Sequence, residues 1–403
     1  MKLKGIRFLY ISCLAYPFNG GAELELHDFV TRLQSEGADV EVVTWMPLLD
    51  SDDSHLPYKI HRLISEEDAQ TFATDEWISN SQVFMQRNFN KLIAFLDNDD
   101  WDVVIHFGIT GPSSFDYNLH RVFKDKWINI GRIWDLPPQL NNGWEDWPWS
   151  FKYQLLLLPT KYHIDATSTH NSEPKMLLPV AAVNSTKNVS IDEEEWNSRP
   201  YDFGFVNPIS HKGIGLVLNL ISLNPDKKFI IKRGNYQDQT ITEHLDKWFP
   251  NVTVAGWYEN MDDFYQECKA ILYPSLQEGF GMIPHEAMSN GCLCFVNQLP
   301  IVESAVGSGP IYIDAHPPMS KQNYFMYRDR YTNDEFNKHF QDAAEEWDWV
   351  IKEVMEDPQR VQEIRQKGLE ALPRLHQHIE ESYDNFYNYI VANVYKGDGT
   401  NLI

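Results

Sequence analysis

The chain has 403 residues, 43% of them hydrophobic and 23% charged, which excludes a disordered polypeptide and leaves room for two α/β domains of ordinary size. Its formal net charge of −24 argues against a surface that grips nucleic acid or anionic lipid broadly, although a local basic groove stays open. Four cysteines (Cys13, Cys268, Cys292 and Cys294) offer no metal-ligand spacing and read as buried thiols of a reducing compartment. No run is long and apolar enough to span a membrane, and Lys2–Phe8 reads as part of a strand rather than a signal peptide, so the expected location is cytoplasmic.

In chain order, Ile6–Ser12 predicts a first strand. The loop containing Gly20-Gly21-Ala22-Glu23 leads to a helix over Ala22–Glu36, with Leu26, Phe29, Val30 and Leu33 at helical spacing and Gly37 as its stop. Val40–Trp45 then completes a βαβ unit without the G-x-G-x-x-G dinucleotide fingerprint. The glycine pair is either a tight turn or a close approach for a ligand. Residues 51–75 are polar and irregular, and Ile78–Leu96 reads as a helix. Asp99-Asp100 reads as a polar loop rather than a metal pair. The strand Asp102–Phe107 carries His106 near its C-terminal end, where open α/β sheets gather ligands; a satisfied core histidine is the equal alternative. Trp127–Trp134 is the next strand, followed by Asp135 and an aromatic cluster of Trp144, Trp147, Trp149, Phe151 and Tyr153, suited to a core or to stacking on sugar. A strand over Ile164–Ser168 closes this half, with Thr169–Ser172 at a ligand-facing edge. The expected division is a domain over 1–184, a solvated acidic linker over 185–200, a second domain over 201–372, and a C-terminal helix region over 373–403.

The second half restarts the pattern. The strand Tyr201–Val206 is followed by the loop Asn207–Gly213 and a helix over Ile214–Leu223. The strand Lys227–Lys232 ends in Arg233-Gly234, and Val252–Ala255 ends in Gly256-Trp257-Tyr258. A helix over Met261–Glu267 and a strand over Ala270–Tyr273 lead to Glu278-Gly279-Phe280-Gly281-Met282-Ile283-Pro284-His285-Glu286. Pro284 suits the first turn of a helix and Gly291 its end, which puts Glu286 in the first turn and Glu278 in the loop before it. Helix-start N–H groups favour an anion such as a diphosphate. The two glutamates would repel that anion, so they suit hydroxyls instead; a nucleotide sugar supplies both. A surface loop with two solvated glutamates is the alternative. Strands at Cys292–Val296 and Ile311–Ile313 follow, then helices over Phe336–Met355, Pro358–Leu372 and Glu380–Tyr395, with Pro373 expected to mark a kink or a break between the last two.

This ordered set resembles the family 4 retaining glycosyltransferases of GT-B fold. Gly20-Gly21-Ala22-Glu23 is similar to the family's first glycine pair, and Ser210-His211-Lys212-Gly213 to its donor loop. Val252–Gly256, Phe264-Tyr265, Tyr273-Pro274-Ser275, Glu278–Glu286 and Ala287–Gly291 follow its second-domain order. The match is good over Tyr201–Asp314 and in outline only before that. The resemblance implies two Rossmann-like domains facing a cleft, with C-terminal helices packing back toward the first domain. It implies a nucleotide-sugar donor (a UDP- or GDP-hexose) on the second domain, a glycan or small hydroxyl acceptor on the first, and retention without metal or cofactor. Glu278 would contact the donor sugar, Glu286 the ribose and Lys212 the diphosphate. The backbone at Phe280, Gly281 and Met282 would touch phosphate or sugar, and the base would lie near Arg233-Gly234 and Gly256-Trp257-Tyr258. Two positions depart from the family: its donor-loop arginine is here Asn207, with Arg233 as the candidate replacement, and its His-Asp pair reads Trp134-Asp135, with His106 as a partial substitute. Alternatives from the same residues are a phage-type DNA base glycosyltransferase and a non-catalytic GT-B relative that binds a ligand or partner.

Overall fold

The computed structural model describes residues 1–12, 15, 21–44, 54–63, 90–97, 100–107, 127–133, 153–167, 174–181, 192–234, 240–256, 258, 260–315, 333–396 and 400–401. The chain divides into two compact units. Unit 1 comprises Met1–Ala182 with Ile379–Ile403, and unit 2 is Val183–His378. Among the described residues, no helix is long and apolar enough to cross a membrane.

Unit 1 begins with β1 (Arg7–Ser12), α1 (Gly21–Ser35), β2 (Asp39–Thr44) and β3 (Lys59–Arg62). It continues through β4 (Val103–Phe107), β5 (Ile128–Arg132), β6 (Leu155–Leu158), α2 (Lys161–Ala166) and β7 (Lys175–Leu177). All seven strands are parallel, in the order β3-β2-β1-β4-β5-β6-β7. Such a sheet is covered on both faces, and its strands read as apolar runs rather than alternating ones. The expected strand at Ile164–Ser168 is a correction: Lys161–Ala166 is helical. The Thr160 hydroxyl accepts the His163 N–H at 3.2 Å as its N-cap, and the four buried leucines of β6 supply the strand instead. Of the helix expected over Ile78–Leu96, only residues 90–97 are described, and they are helical. The remaining aromatic cluster (Trp144, Trp147, Trp149, Phe151), Thr169–Ser172 and Cys13 lie outside the described residues.

Unit 2 holds α3 (Glu193–Ser198), β8 (Tyr201–Val206), α4 (Ile214–Leu223), β9 (Phe229–Lys232), α5 (Thr242–Trp248) and β10 (Val252–Ala255). Next come α6 (Met261–Gln266), β11 (Cys268–Tyr273), α7 (Met282–Ser289), β12 (Leu293–Asn297), α8 (Pro300–Val306), β13 (Ile311–Ile313) and α9 (Asn333–Met355). The sheet order is β10-β9-β8-β11-β12-β13, the doubly wound arrangement in which strand order reverses between β8 and β11. One core lies under α4 and α9 and includes Trp347; another lies under α6 and α7 and includes Tyr265 and Ala287. Cys268, Cys292 and Cys294 are free, buried thiols.

The acidic run at 192–195 is exposed, as expected of a solvated run, and it also opens a helix: Asp192 Oδ1 accepts the N–H groups of Glu194 (2.8 Å) and Glu195 (3.4 Å), and acids in a first turn suit the helix dipole. One further expectation is corrected. Pro373 does not end a helix, because α10 runs unbroken from Pro358 to Asn393. Proline removes one internal hydrogen bond there, but Leu372, Ile379, Tyr383 and Phe386 are buried along the same helix and hold its course. The residues of α10 from Ile379 belong to unit 1, where the rings of Tyr383 and Phe386 meet Phe29 of α1.

Candidate functional site

The loops that follow β8 and β11 flank the point where the strand order of unit 2 reverses, the usual ligand crevice of an open α/β sheet. Asn207 starts the first loop at φ 64, a left-handed conformation that asparagine tolerates. Its N–H extends the ladder to Lys232 O at 2.9 Å. Ser210–Lys212 forms a single 3₁₀ turn ending at Gly213, φ 85. A Cβ at Gly213 would lie 2.3 Å from the Pro274 carbonyl oxygen, so glycine allows this loop to press against the next one. The Leu276 N–H donates to His211 O at 2.8 Å, and Asn297 Nδ2 donates to Ser275 O at 2.8 Å, joining the second loop to the first and to β12.

This packing brings Lys212 and Glu278 together. The Lys212 ammonium donates to Glu278 Oε1 at 2.5 Å, with the glutamate side chain only 8% exposed. Burial opposes ionisation of Glu278, but the charge and hydrogen bond of Lys212, together with the hydroxyls of Ser275 and Tyr273, outweigh it and hold the carboxyl below its usual range. His211 is pushed down to about 4, by burial first and then by the charge of Lys212.

Gly281, at φ 95, precedes α7, whose start has no side-chain cap. Its N–H groups are therefore of the kind that anions seek. The helix begins at Met282 rather than Pro284, so Glu286 falls in its second turn, not the first as expected; the left-handed Gly281 sets the start. Phe280 is buried and stacked on His285, with ring centroids 5.4 Å apart, and burial pushes His285 down to about 3. The Tyr265 hydroxyl donates to Glu286 Oε2 at 2.5 Å. Burial nevertheless raises the Glu286 carboxyl above its usual range. This carboxylate can receive ligand hydroxyls at its other oxygen, while Glu278 and Lys212 offer an acceptor and a cation side by side.

Residues 186–318 match the family model described as glycosyl transferases group 1. This supports a glycosyltransferase. A curated relative, the O-antigen chain mannosyltransferase RfbU of Salmonella typhimurium, is 29% identical over 66 residues, and the chain spans 19% of that protein's length and 16% of its own. Among solved structures, the pneumococcal O-GlcNAc transferase GtfA in complex with UDP and GlcNAc aligns with TM-score 0.67 at 10% identity, covering 96% of this chain and 99% of that one. A mutant of S. aureus TarM, in complex with Fondaparinux, alpha-GlcNAc-glycerol and UDP, gives 0.65 at 10%, covering 95% and 100%. WaaG, a glycosyltransferase involved in lipopolysaccharide biosynthesis, gives 0.61 at 11%, covering 96% and 100%. These likenesses show the fold: it is GT-B.

The other expected site positions are less close-knit. Arg233 is exposed beyond the end of β9, and Gly234 follows it. Gly256 follows β10, and a Cβ there would meet nothing within 4 Å among the described residues. The Tyr258 hydroxyl donates to Glu267 Oε2 at 3.1 Å, and its ring meets Phe264 edge-on. Gly279 lies in the loop between Glu278 and Phe280. In unit 1, Gly21 opens α1. His106 ends up in the sheet, 2% exposed, with Nε2 3.2 Å from Asn129 Oδ1 of the neighbouring strand and its ring against Tyr153. Gly20, Trp134, Asp135 and Trp257 lie outside the described residues.

Sequence reasoning overlooked Tyr265 as the partner of Glu286 and Lys232 as a buried cation. The signal for Lys232 was present: a lysine closing the apolar run Phe229-Ile230-Ile231 at the ligand-facing end of a parallel strand.

Proposed function

We propose that the protein is a retaining hexosyltransferase. It transfers a sugar from a UDP- or GDP-linked donor to a hydroxyl of a glycan or small acceptor, without a metal or cofactor. The carrying observation is the Lys212–Glu278 pair at the strand-order reversal, beside the uncapped start of α7. The UDP in the GtfA and TarM structures and the mannosyl transfer named for RfbU fit this reading. Buried free thiols suit a reducing compartment, the cytoplasm.

The chemistry follows from charge. As the anomeric C–O bond breaks, negative charge grows on the departing diphosphate and positive charge on the sugar ring. Lys212 and the N–H groups at Met282 and Ile283 stabilise the first. Glu278 accepts hydrogen bonds from sugar hydroxyls and, as a carboxylate, favours the developing cation. Glu286 holds the ribose hydroxyls, steadied by Tyr265. The acceptor oxygen bonds to the anomeric carbon on the face the diphosphate leaves, and its proton passes to the departing phosphate.

The test is turnover of UDP- and GDP-hexoses, with hydrolysis as the acceptor-free readout. Lys212→Ala and Glu278→Ala should each reduce the rate by ~10²–10³. Full activity in both variants would remove the site assignment.

A further inference from the structure

Lys232 is the last residue of β9. Side chains alternate between the faces of a strand. Phe229 and Ile231 enter the core under α4 and α9, whereas Ile230 enters the core that contains Tyr265 and Ala287. Lys232 therefore shares Ile230's face, the one covered by α6 and α7 and carrying Tyr265 and Glu286. It is 7% exposed, and its ammonium donates to Arg233 O at 3.2 Å. Arg233, the cation expected from sequence, falls on the opposite alternation and is exposed. In register, Lys232 lies between Val206 and Ala255, so its neighbours at the sheet edge are Asn207 and Gly256. Among the described residues, an added Cβ at Gly256 would touch nothing within 4 Å.

The position of β9 sets what this ammonium can reach. Lys212 and Glu278 belong to the loops after β8 and β11, at the centre of the sheet. The ends of β9 and β10 lie outward from that centre, where the nucleoside would extend beyond the ribose held by Glu286. Burial holds the Lys232 ammonium below its ordinary range, and the nearby Glu286 charge offsets part of that cost. We propose that Lys232 recognises the nucleobase of the donor, donating a hydrogen bond to a ring carbonyl oxygen and so selecting uracil or guanine over adenine. This inference rests on the nucleotide-sugar reading. An ammonium is a donor only. Uracil and guanine offer it a carbonyl acceptor, whereas adenine carries an amino donor on the corresponding edge.

The experiment is calorimetric titration of the full chain with UDP, GDP and ADP, for the wild type, Lys232→Met and Lys232→Gln. The wild type should bind UDP or GDP about tenfold or more tighter than ADP. Lys232→Met should bring that preferred diphosphate to the ADP level while changing ADP itself by no more than about twofold. Lys232→Gln, which keeps an N–H donor, should restore part of the preference, and it carries the test if the Met variant does not fold. An equal loss for all three nucleotides, no change in either variant, or a wild type that prefers ADP overturns the assignment. Binding of none of the three to the wild type overturns the nucleotide-sugar reading itself; binding without base preference overturns only the role of Lys232.

Discussion

Glu278 holds the ammonium that a bound diphosphate would need. The pair is short and buried, so it is screened little by solvent, and an incoming diphosphate competes with the carboxylate for Lys212 while being repelled by it. Glu278→Gln should therefore tighten binding of a nucleoside diphosphate, by about tenfold, while transfer falls by ~10²–10³. Titration calorimetry and turnover on the same preparation separate the two effects; weaker diphosphate binding in the variant would contradict the competition. The histidines of this region act on stability. His211 and His285 are held neutral, at about 4 and about 3 against an unfolded value of 6.5. Below pH 6.5 the unfolded chain takes these protons first, so their contribution is complete above 6.5 and is lost as pH falls toward 4. Glu278, held low, loses its contribution in the same direction but at lower pH, while Glu286, held high, works against the trend. His285→Leu should flatten the dependence, removing roughly 2–3 kcal/mol of the loss between pH 6.5 and 4. Denaturant midpoints at those two pH values measure it; identical slopes would show that His285 is not the group titrating.

Elements were legible where one local rule decided them. The βαβ units, the strand before Glu278 and the glycine that ends the loop after β8 all follow from short apolar runs and turn residues. The misread elements depended on information outside the window. The Thr160 cap outweighs the strand-like look of Ile164–Ser168, and the buried side chains of α10 carry the helix through Pro373. Two substitutions probe this scale. Pro373 is exposed, so Pro373→Ala restores a backbone donor without disturbing a core, and should stabilise the protein by ~1–3 kcal/mol. A neutral or negative change in unfolding free energy would mean the helix is not strained there. Gly213→Ala should do the reverse, since an added Cβ meets both a left-handed backbone and the Pro274 carbonyl. The loop must shift, and nucleotide affinity should fall together with stability.

At the scale of the whole molecule, a repeated topology accounts for which parts of the site could be read from sequence. Each unit reverses its strand order at its first and fourth strands in sequence, β1 and β4 or β8 and β11, so the chemistry-bearing loops of unit 2 are those after β8 and β11. Lys212 and Glu278 lie 66 positions apart in the chain, and only this topology makes them neighbours. Resemblance to a known motif order could anticipate that pair. It could not anticipate Lys232, whose role depends on which face of β9 its side chain takes. The same topology makes a prediction about where ligand is felt. A nucleoside diphosphate alone should slow amide exchange in the loops after β8 and β11, at the start of α7 and at the end of β9, all within unit 2. Amides of β1, β4 and β5 in unit 1 should exchange at their ligand-free rates. Hydrogen exchange on the intact chain, with and without UDP or GDP, reads both units at once. Protection concentrated around β4 and β5 would move the nucleotide to unit 1 and remove the donor role from Glu278, Glu286 and Lys212 together.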